Sequence, residues 1–411
     1  MFLSIKNLGK IAAADIDIAG ITVIAGENNT GKSTVGKALF SVFNSFYQID
    51  KQIYDEKLLA VINQINRNSD SFSPLSEFSG ITKSIMDKKD IYINDMTLLQ
   101  QDLKNLLMQY DALINIEKLA DNIIHIFNIS DYDVLISSLR NRMRLEFNMQ
   151  INNLYCPEKI SDIMLIVKGE EIKIQVTNNE NIDILFNNIS LNTEVVYIDS
   201  PYVMDNPQIP VYINSNYRNH RDHLSVLLTK NTNASVIDEI IASKKLNAVF
   251  EKLNSICSGE MIKNNNLRFA YKESESGNII DVSNISTGLK TFAIIKTLLL
   301  NGSLVENGTI ILDEPEIHLH PKWQLVFAEI IVLLQKEFNM HILINTHSPY
   351  FLDAIEVYSL KHGITGKCKY YLAEISNNGM SEISDVSDNI ERIYKKLAEP
   401  FQILEDESYD Y

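Results

Sequence analysis

The rhythm of apolar and polar positions changes several times along this chain, and the changes divide it. Ile21-Thr22-Val23-Ile24-Ala25 is an unbroken apolar and β-branched run. It is too short for a helix and has the pattern of a strand buried on both faces. Three other runs share that form: Val195-Val196-Tyr197-Ile198, Thr309-Ile310-Ile311-Leu312 and Ile342-Leu343-Ile344. Residues 370–375 predict one more strand, and residues 1–6 a short strand-like start. Helical spacing follows the first run over residues 34–43, opens again after Ser286 and runs through Leu300, and returns over 323–335. A last helix is expected at about 388–397, ended by Pro400. The acidic tail 405–411 is expected to be mobile. Between Phe43 and Val196 the pattern differs. Leu98-Leu99-Leu103-Leu106-Leu107 and Leu113-Ile116-Leu119-Ile123-Ile124 repeat at three and four, which predicts amphipathic helices, without the sustained heptads of long coiled-coil arms. Residues 163–186 alternate, with turns at Gly169-Glu170-Glu171 and Asn178-Asn179-Glu180-Asn181, which predicts a small antiparallel meander. The fold class expected is α/β: a head of 1–43 and 196–411 with a mixed core sheet, split by a mainly helical insertion, 44–195, that ends in the meander.

The polar residues that interrupt these runs carry the chemistry. Directly after the first strand comes Gly26-Glu27-Asn28-Asn29-Thr30-Gly31-Lys32-Ser33, followed by Thr34 and a helix. This G-x-x-x-x-G-K-S spacing in strand–loop–helix context is a Walker A phosphate loop. Glycines let the backbone curl so that its N–H groups face phosphate oxygens, and the helix offers its positive end. Lys32 would reach the β- and γ-phosphates of ATP, and the Ser33 hydroxyl would ligate Mg²⁺. Far downstream, Thr309–Leu312 ends in Asp313-Glu314-Pro315. Two acids at a strand end are, taken alone, as well explained by a solvated cap. Paired with a phosphate loop, Asp313 is placed to hold Mg²⁺ and Glu314 to polarise the attacking water. A third strand ends in Asn345-Thr346-His347-Ser348, which puts His347 at the same sheet edge. Ser286 precedes a helix as a good N-cap, and a helix N-terminus attracts anions.

Composition narrows the setting. The chain has 411 residues, 45% of them hydrophobic, enough for two domains or one with a large insertion. The formal net charge of −16 argues against nonspecific nucleic-acid binding through overall charge. Cys156, Cys257 and Cys368 stand far apart, with neither disulfide nor zinc spacing, so a reducing, cytoplasmic setting is expected. No apolar run approaches the ~20 residues of a membrane span. Of the denser basic stretches, Arg140-Asn141-Arg142-Met143-Arg144 reads as a solvated helix face ahead of a contact for phosphate or a partner, and the aromatic and basic mixture from Tyr212 to His223 as either loop polarity or a nucleic-acid surface.

Taken together and in this order, these elements resemble an ABC-type ATPase of the OLD-like, RecF- and SMC-related branch. Ile285-Ser286-Thr287-Gly288-Leu289 is similar to the ABC signature L-S-G-G-Q at the serine and the second glycine, and departs from it at Thr287 and Leu289. Asp313-Glu314-Pro315-Glu316-Ile317-His318-Leu319-His320-Pro321 resembles the D-E-P-E-x-x-L-H-P run of that branch, and Thr346-His347-Ser348-Pro349 its T-H-S-P switch segment. The resemblance implies that Glu314, His347 and Lys32 are catalytic. It implies that Gly26, Asn28, Asn29, Thr30, Gly31, Lys32, Ser33, Thr34, Ser286 and Gly288 bind ATP, and that Ser33 and Asp313 hold Mg²⁺. Ser286 and Gly288 of one copy would close over the nucleotide held at Lys32 of another, so an ATP-dependent homodimer, or a multiple of one, is implied. His318 and His320 would lie in the segment that crosses such an interface.

OLD nucleases carry a TOPRIM domain after the histidine segment, about 100 residues long, where only a short tail follows here. The expectation is therefore an ATPase without a nuclease of its own, resembling the ATPase subunit of antiphage pairs of the Septu or PARIS kind. Such a subunit acts as switch or scaffold for a separately encoded effector, a nuclease or toxin. A DNA-maintenance ATPase of the RecF/SMC kind, binding DNA directly, is the alternative. A transporter subunit would require a membrane partner and a stricter signature, and a scaffold that binds ATP with very slow turnover also remains open.

Overall fold

The four continuous apolar runs lie side by side in one sheet. The computed structural model describes residues 1–68, 79–107, 115–187, 189, 191–205, 218–230, 246–263 and 269–409. Its strands are β1 (Phe2–Leu8), β2 (Ile11–Asp17), β3 (Ile21–Gly26), β4 (Ser161–Val167), β5 (Glu170–Thr177), β6 (Asn181–Asn187), β7 (Val195–Ile198), β8 (Glu260–Lys263), β9 (Phe269–Lys272), β10 (Ile279–Asp281), β11 (Thr309–Asp313), β12 (His341–Thr346), β13 (Cys368–Ile375) and β14 (Ser381–Asp385). Eleven of them form one sheet in the order β6-β5-β4-β1-β2-β14-β13-β3-β12-β11-β7, and β10-β9-β8 form a second. From β13 to β7 every pairing is parallel. Parallel strands sandwiched by helices are buried on both faces, which is why these segments are apolar at every position rather than at alternate ones.

The described residues separate into two units. Those of Met1–Tyr47, Leu139–Val211 and Arg218–Tyr411 form one, and those of Gln48–Ser138 the other. In the first, the helices Thr287–Leu300, Pro321–Phe338 and Pro349–Lys361 bring Phe292, Phe327, Leu334 and Phe351 against Ile21, Val23, Ile310, Leu312, Ile342 and Ile344. Each fully buried side chain of this size contributes about 1.5–3 kcal/mol. In the second unit, the helices Ile49–Asn68, Ser79–Asp87, Met96–Leu107 and Ile116–Asn128 close around Ile65, Ile85, Leu99, Leu103, Leu119 and Ile123. Leu99, Leu103 and Leu107, three of the residues spaced at four, are the buried face of their helix. Leu113 falls outside the described residues. Asn115 begins the next helix, its side chain accepting the Lys118 N–H.

Three local expectations are met differently. The meander β4-β5-β6 is antiparallel, but β4 pairs with β1, Phe2 opposite Ile166 and Ile5 opposite Ile163, so these strands extend the large sheet. Their alternating pattern buries one face only, and the free edge of β1 provides the backbone partners. A strand unforeseen in the sequence, β14, follows β13 through a tight turn and pairs with β2. The last helix begins at Glu391 and runs through Pro400 to Tyr409. A proline removes one hydrogen bond and crowds the preceding turn, at about 3 kcal/mol, and here it does not end the helix. Among the described residues no helix is long and apolar enough to cross a membrane.

Candidate functional site

β3 ends where Gly26 pairs with Ala373 of β13. A Cβ on Gly26 would stand 2.4 Å from the Ala373 carbonyl oxygen, so only glycine permits this approach. The chain then turns through Asn29, at φ 68°, and Gly31, at φ 82°, into the helix Lys32–Ser45. No side chain caps that helix, which leaves the Lys32 and Ser33 N–H groups at its start to an anion. The turn is braced from within, because Thr30 Oγ1 donates to the Glu27 carbonyl at 2.8 Å and the Thr34 N–H to that of Gly31 at 3.0 Å. It is braced from outside by Ser381 of β14, whose hydroxyl donates to the Thr30 carbonyl. Asn28, Asn29 and Ser33 are exposed. Lys32 is buried and folds back over its own loop, Nζ donating to the carbonyls of Gly26 at 2.9 Å and Glu27 at 2.8 Å. Burial pulls its pKa below the ordinary lysine value, against Glu314, Asp313, Glu316 and Glu27, whose charges raise it.

β12 lies between β3 and β11, with Thr346 opposite Ala25 and Asn345 opposite Asp313. Gly26, Asp313 and His347 therefore come off one sheet edge, the carboxyl ends of parallel strands where ligands bind in open α/β sheets. Asp313 is held on both oxygens: Asn345 Nδ2 donates to Oδ1 at 2.9 Å and the Tyr197 hydroxyl to Oδ2 at 2.8 Å. Glu314 takes a left-handed backbone, φ 50°, fixed by its N–H donating to the Asn345 carbonyl at 2.8 Å. Such strain in a non-glycine residue clusters at functional sites. Its Oε1 lies 3.4 Å from His347 Nδ1. Glu316 is buried beside them, accepting from the Thr346 hydroxyl and the His347 amide. Burial raises its carboxyl pKa, and those hydrogen bonds oppose the rise.

The donor set suits a magnesium nucleotide. Mg²⁺ is ordinarily bound through one or two protein oxygens together with substrate phosphates. Here the exposed Ser33 hydroxyl and the oriented Asp313 carboxylate are of that kind, next to a lysine and an uncapped helix N-terminus suited to phosphate. Among the described residues no group of three or more His, Cys, Asp or Glu forms a cage for a metal alone.

Ser286 and Gly288 are held by a different set of neighbours. Ser286 Oγ accepts the Leu289 N–H at 3.3 Å as the N-cap of Thr287–Leu300. A Cβ on Gly288 would stand 3.0 Å from the His318 carbonyl and 3.1 Å from the Trp323 ring. His320 caps the helix Pro321–Phe338 through Nδ1, at 3.3 Å from the Lys322 N–H.

Of the basic residues read as a solvated or nucleic-acid face, Arg142 and His220 are turned inward, whereas Arg221 is exposed. Arg142 is buried, Nε donating to Ser45 Oγ at 3.1 Å. His220 Nδ1 meets Glu146 Oε1 at 2.6 Å, and its Nε2 lies 3.0 Å from Asp199 Oδ2. Burial pulls the His220 pKa down, but hydrogen bonds to Asp199 and Glu146 outweigh it and carry the ring up to about 9. Asp199, raised by burial and lowered more by His220 and Arg221, falls to about 2. His223 Nε2 contacts Glu194 at 2.9 Å. Residues 212–217 lie outside the described residues. Sequence reasoning missed Tyr197, Asn345 and Glu316. The usable signal was a phenol and a carboxamide inside otherwise apolar strands, since a buried polar tip requires a partner.

A family model described as an AAA ATPase domain matches residues 1–352. The Retron Ec83 probable ATPase of Escherichia coli is 26% identical over 229 residues, 49% of this chain and 40% of that protein. The Retron Vc95 probable ATPase of Vibrio cholerae serotype O1 biovar El Tor is 33% identical over 99 residues, 21% of this chain and 18% of that one. The OLD nuclease of Thermus scotoductus is 30% identical over 90 residues, 22% and 17% of the two chains. The chain thus spans less than half the length of these curated relatives. Among solved structures, the SMC head domain from Thermotoga maritima aligns over 94% of this chain and 98% of its own, with 13% identity and a TM-score of 0.36. An SMC head bound to the C-winged helix domain of ScpA aligns over 93% and 96%, with 10% identity and a TM-score of 0.42.

Proposed function

The chain belongs to the AAA ATPase domain family, and from that premise we propose that it is an ATP-driven switch whose heads pair on ATP and control a separately encoded effector, a nuclease or toxin, in antiphage defence. The observation that carries the reading is the convergence of the phosphate loop, Asp313-Glu314 and His347 at one edge of the parallel strands. In this reading Lys32 and the N–H groups at the start of Lys32–Ser45 hold the β- and γ-phosphates. Ser33 and Asp313 hold Mg²⁺, which when bound neutralises phosphate charge. Glu314 accepts the proton of the attacking water, and His347, beside it, donates toward the γ-phosphate. Lys32 already has carbonyl partners, so substrate exchanges one set of hydrogen bonds for a charge-assisted set. Ser286 and Gly288 meet the nucleotide of a second copy, so the γ-phosphate supplies the contact that favours the paired state. Two of the relatives are named as probable ATPases of retrons, which supports the ATPase part of this reading.

The test is light scattering of Glu314→Gln with and without Mg·ATP, and mass spectrometry of proteins that co-purify with it. ATP-dependent doubling of mass, lost in Ser286→Arg, together with a captured nuclease or toxin supports the switch. A particle of unchanged mass refutes pairing. Capture of DNA and repair proteins moves the assignment to DNA maintenance, a reading that the inward pairing of His220 and His223 does not favour.

A further inference from the structure

Asp313 sits at the end of β11, and its carboxylate has two owners that no motif names. On β7, Tyr197 is opposite Ile311 in the parallel register. Asp313 is two residues beyond Ile311, hence on the same sheet face and about 6.6 Å further along. A phenol spans that distance, and its hydroxyl meets Oδ2. On the opposite flank, Asn345 of β12 is directly across from Asp313 and meets Oδ1.

The ring of Tyr197 is itself fixed on several sides. The helix Lys32–Ser45 lies against it. A Cβ on Gly36 would stand 3.1 Å from Tyr197 Cζ and Oη and 3.1 Å from Ile311 Cγ2, so the glycine is what lets the tyrosine pass under the helix. One turn on, Phe40 meets the ring edge-on at a centroid distance of 6.2 Å. The His220 ring stacks on it at 4.3 Å and 23°. That imidazole faces Glu146 through one nitrogen and Asp199 through the other, and Asp199 is gripped in turn by Arg221. Tyr197 is fully buried. Its ring therefore sits where the element that carries Ser33 crosses the element that carries Asp313.

We propose that Tyr197 and Asn345 are positioning residues for ATP hydrolysis: a two-sided clamp that holds the Asp313 carboxylate in register with Ser33 for the divalent cation. The proposal rests on the assignment of Asp313 as a cation ligand. A phenylalanine would fill the same space between β7 and the helix, so the hydroxyl has a purpose that packing does not require. Partners of this kind set ligand orientation, and their loss typically weakens metal affinity or activity 10–100-fold.

The test uses the full chain loaded with the non-hydrolysable analogue AMPPNP. Binding of AMPPNP in EDTA, and of Mn²⁺ to the loaded protein, are each measured by calorimetry for wild type, Asp313→Asn, Tyr197→Phe and Asn345→Ser. A purely structural role would move both or neither. The clamp predicts that AMPPNP affinity in EDTA stays within about 2-fold of wild type, while Mn²⁺ affinity falls about 10-fold or more in each clamp variant. Mn²⁺ binding as tight as wild type in both overturns the clamp alone. Unchanged Mn²⁺ binding in Asp313→Asn overturns the assignment of Asp313, and the clamp with it. Should Tyr197→Phe fail to fold, Asn345→Ser decides.

Discussion

Raising the pH from 7 to 9 should strip stability from the first unit through one residue. His220 is buried with its two ring nitrogens against Glu146 and Asp199, and its pKa in the folded chain is about 9, above the ordinary histidine value of 6.5. Because the folded value is the higher one, the stabilisation is present in full below pH 6.5 and disappears as the pH climbs through 9. The difference between the two values corresponds to about 3 kcal/mol at most. Most of that, about 2 kcal/mol, is lost between pH 7 and pH 9. In a large domain 1 kcal/mol moves Tm by about 2 °C, so the expected fall is about 4 °C.

Other groups titrate over the same range, so the measurement is a difference. Tm of wild type and of His220→Gln is recorded at both pH values. At pH 7 the variant is the less stable, because Glu146 and Asp199 are left buried without the imidazolium between them, Asp199 keeping only Arg221. Toward pH 9 the wild-type ring deprotonates and the two curves approach each other by about 4 °C. A gap that stays constant would refute the reasoning, since it would mean that His220 does not carry the charge the geometry assigns to it. The acid side gives the complementary check. The Asp199 pKa is depressed to about 2 from 3.8, so its contribution is present above pH 3.8 and lost as the pH falls through 2.

Lys32→Ala should lower nucleotide affinity at least 10-fold in a fluorescent-ATP titration, since it removes the buried cation of the loop. Glu314→Gln should keep that affinity while phosphate release falls about 10²–10⁴-fold, and equal turnover would remove Glu314 from its role. Gly36→Ala should destabilise the first unit by about 1–3 kcal/mol in chemical denaturation, because its Cβ would stand 3.1 Å from Tyr197 and Ile311. Leu103→Ala, which empties a fully buried position in the helical unit, should lower that unit's stability by about 2–5 kcal/mol.

What was legible in the sequence is what local chemistry dictates. A phosphate loop needs glycines, lysine and serine at set spacings, and a strand that ends at a ligand edge must change abruptly from apolar to polar. Gly26–Ser33, Asp313-Glu314 and His347 therefore announce themselves within a few residues, and the parallel strands do so by being apolar throughout. What escaped notice depends on register between distant segments. Tyr197 and Asp313 are 116 positions apart and meet only because β7 and β11 pair in parallel with Ile311 opposite Tyr197. Slipping that register by one residue would turn the phenol to the other face. Arg142 has the spacing of a solvated helix and is buried, because Ser45 and the Phe40 ring lie where its guanidinium ends. The meander shows the same limit, since alternation announces three strands with one face to bury but not that the free edge of β1 is what they join. Gly36 is the instructive case. In the sequence it is one more small residue in a helix, and only the crossing of that helix over Tyr197 explains why nothing larger fits. The groups proposed to meet phosphate would be constrained by the shape of the nucleotide, which is constant, whereas the groups proposed to aim them are constrained by this fold's own register.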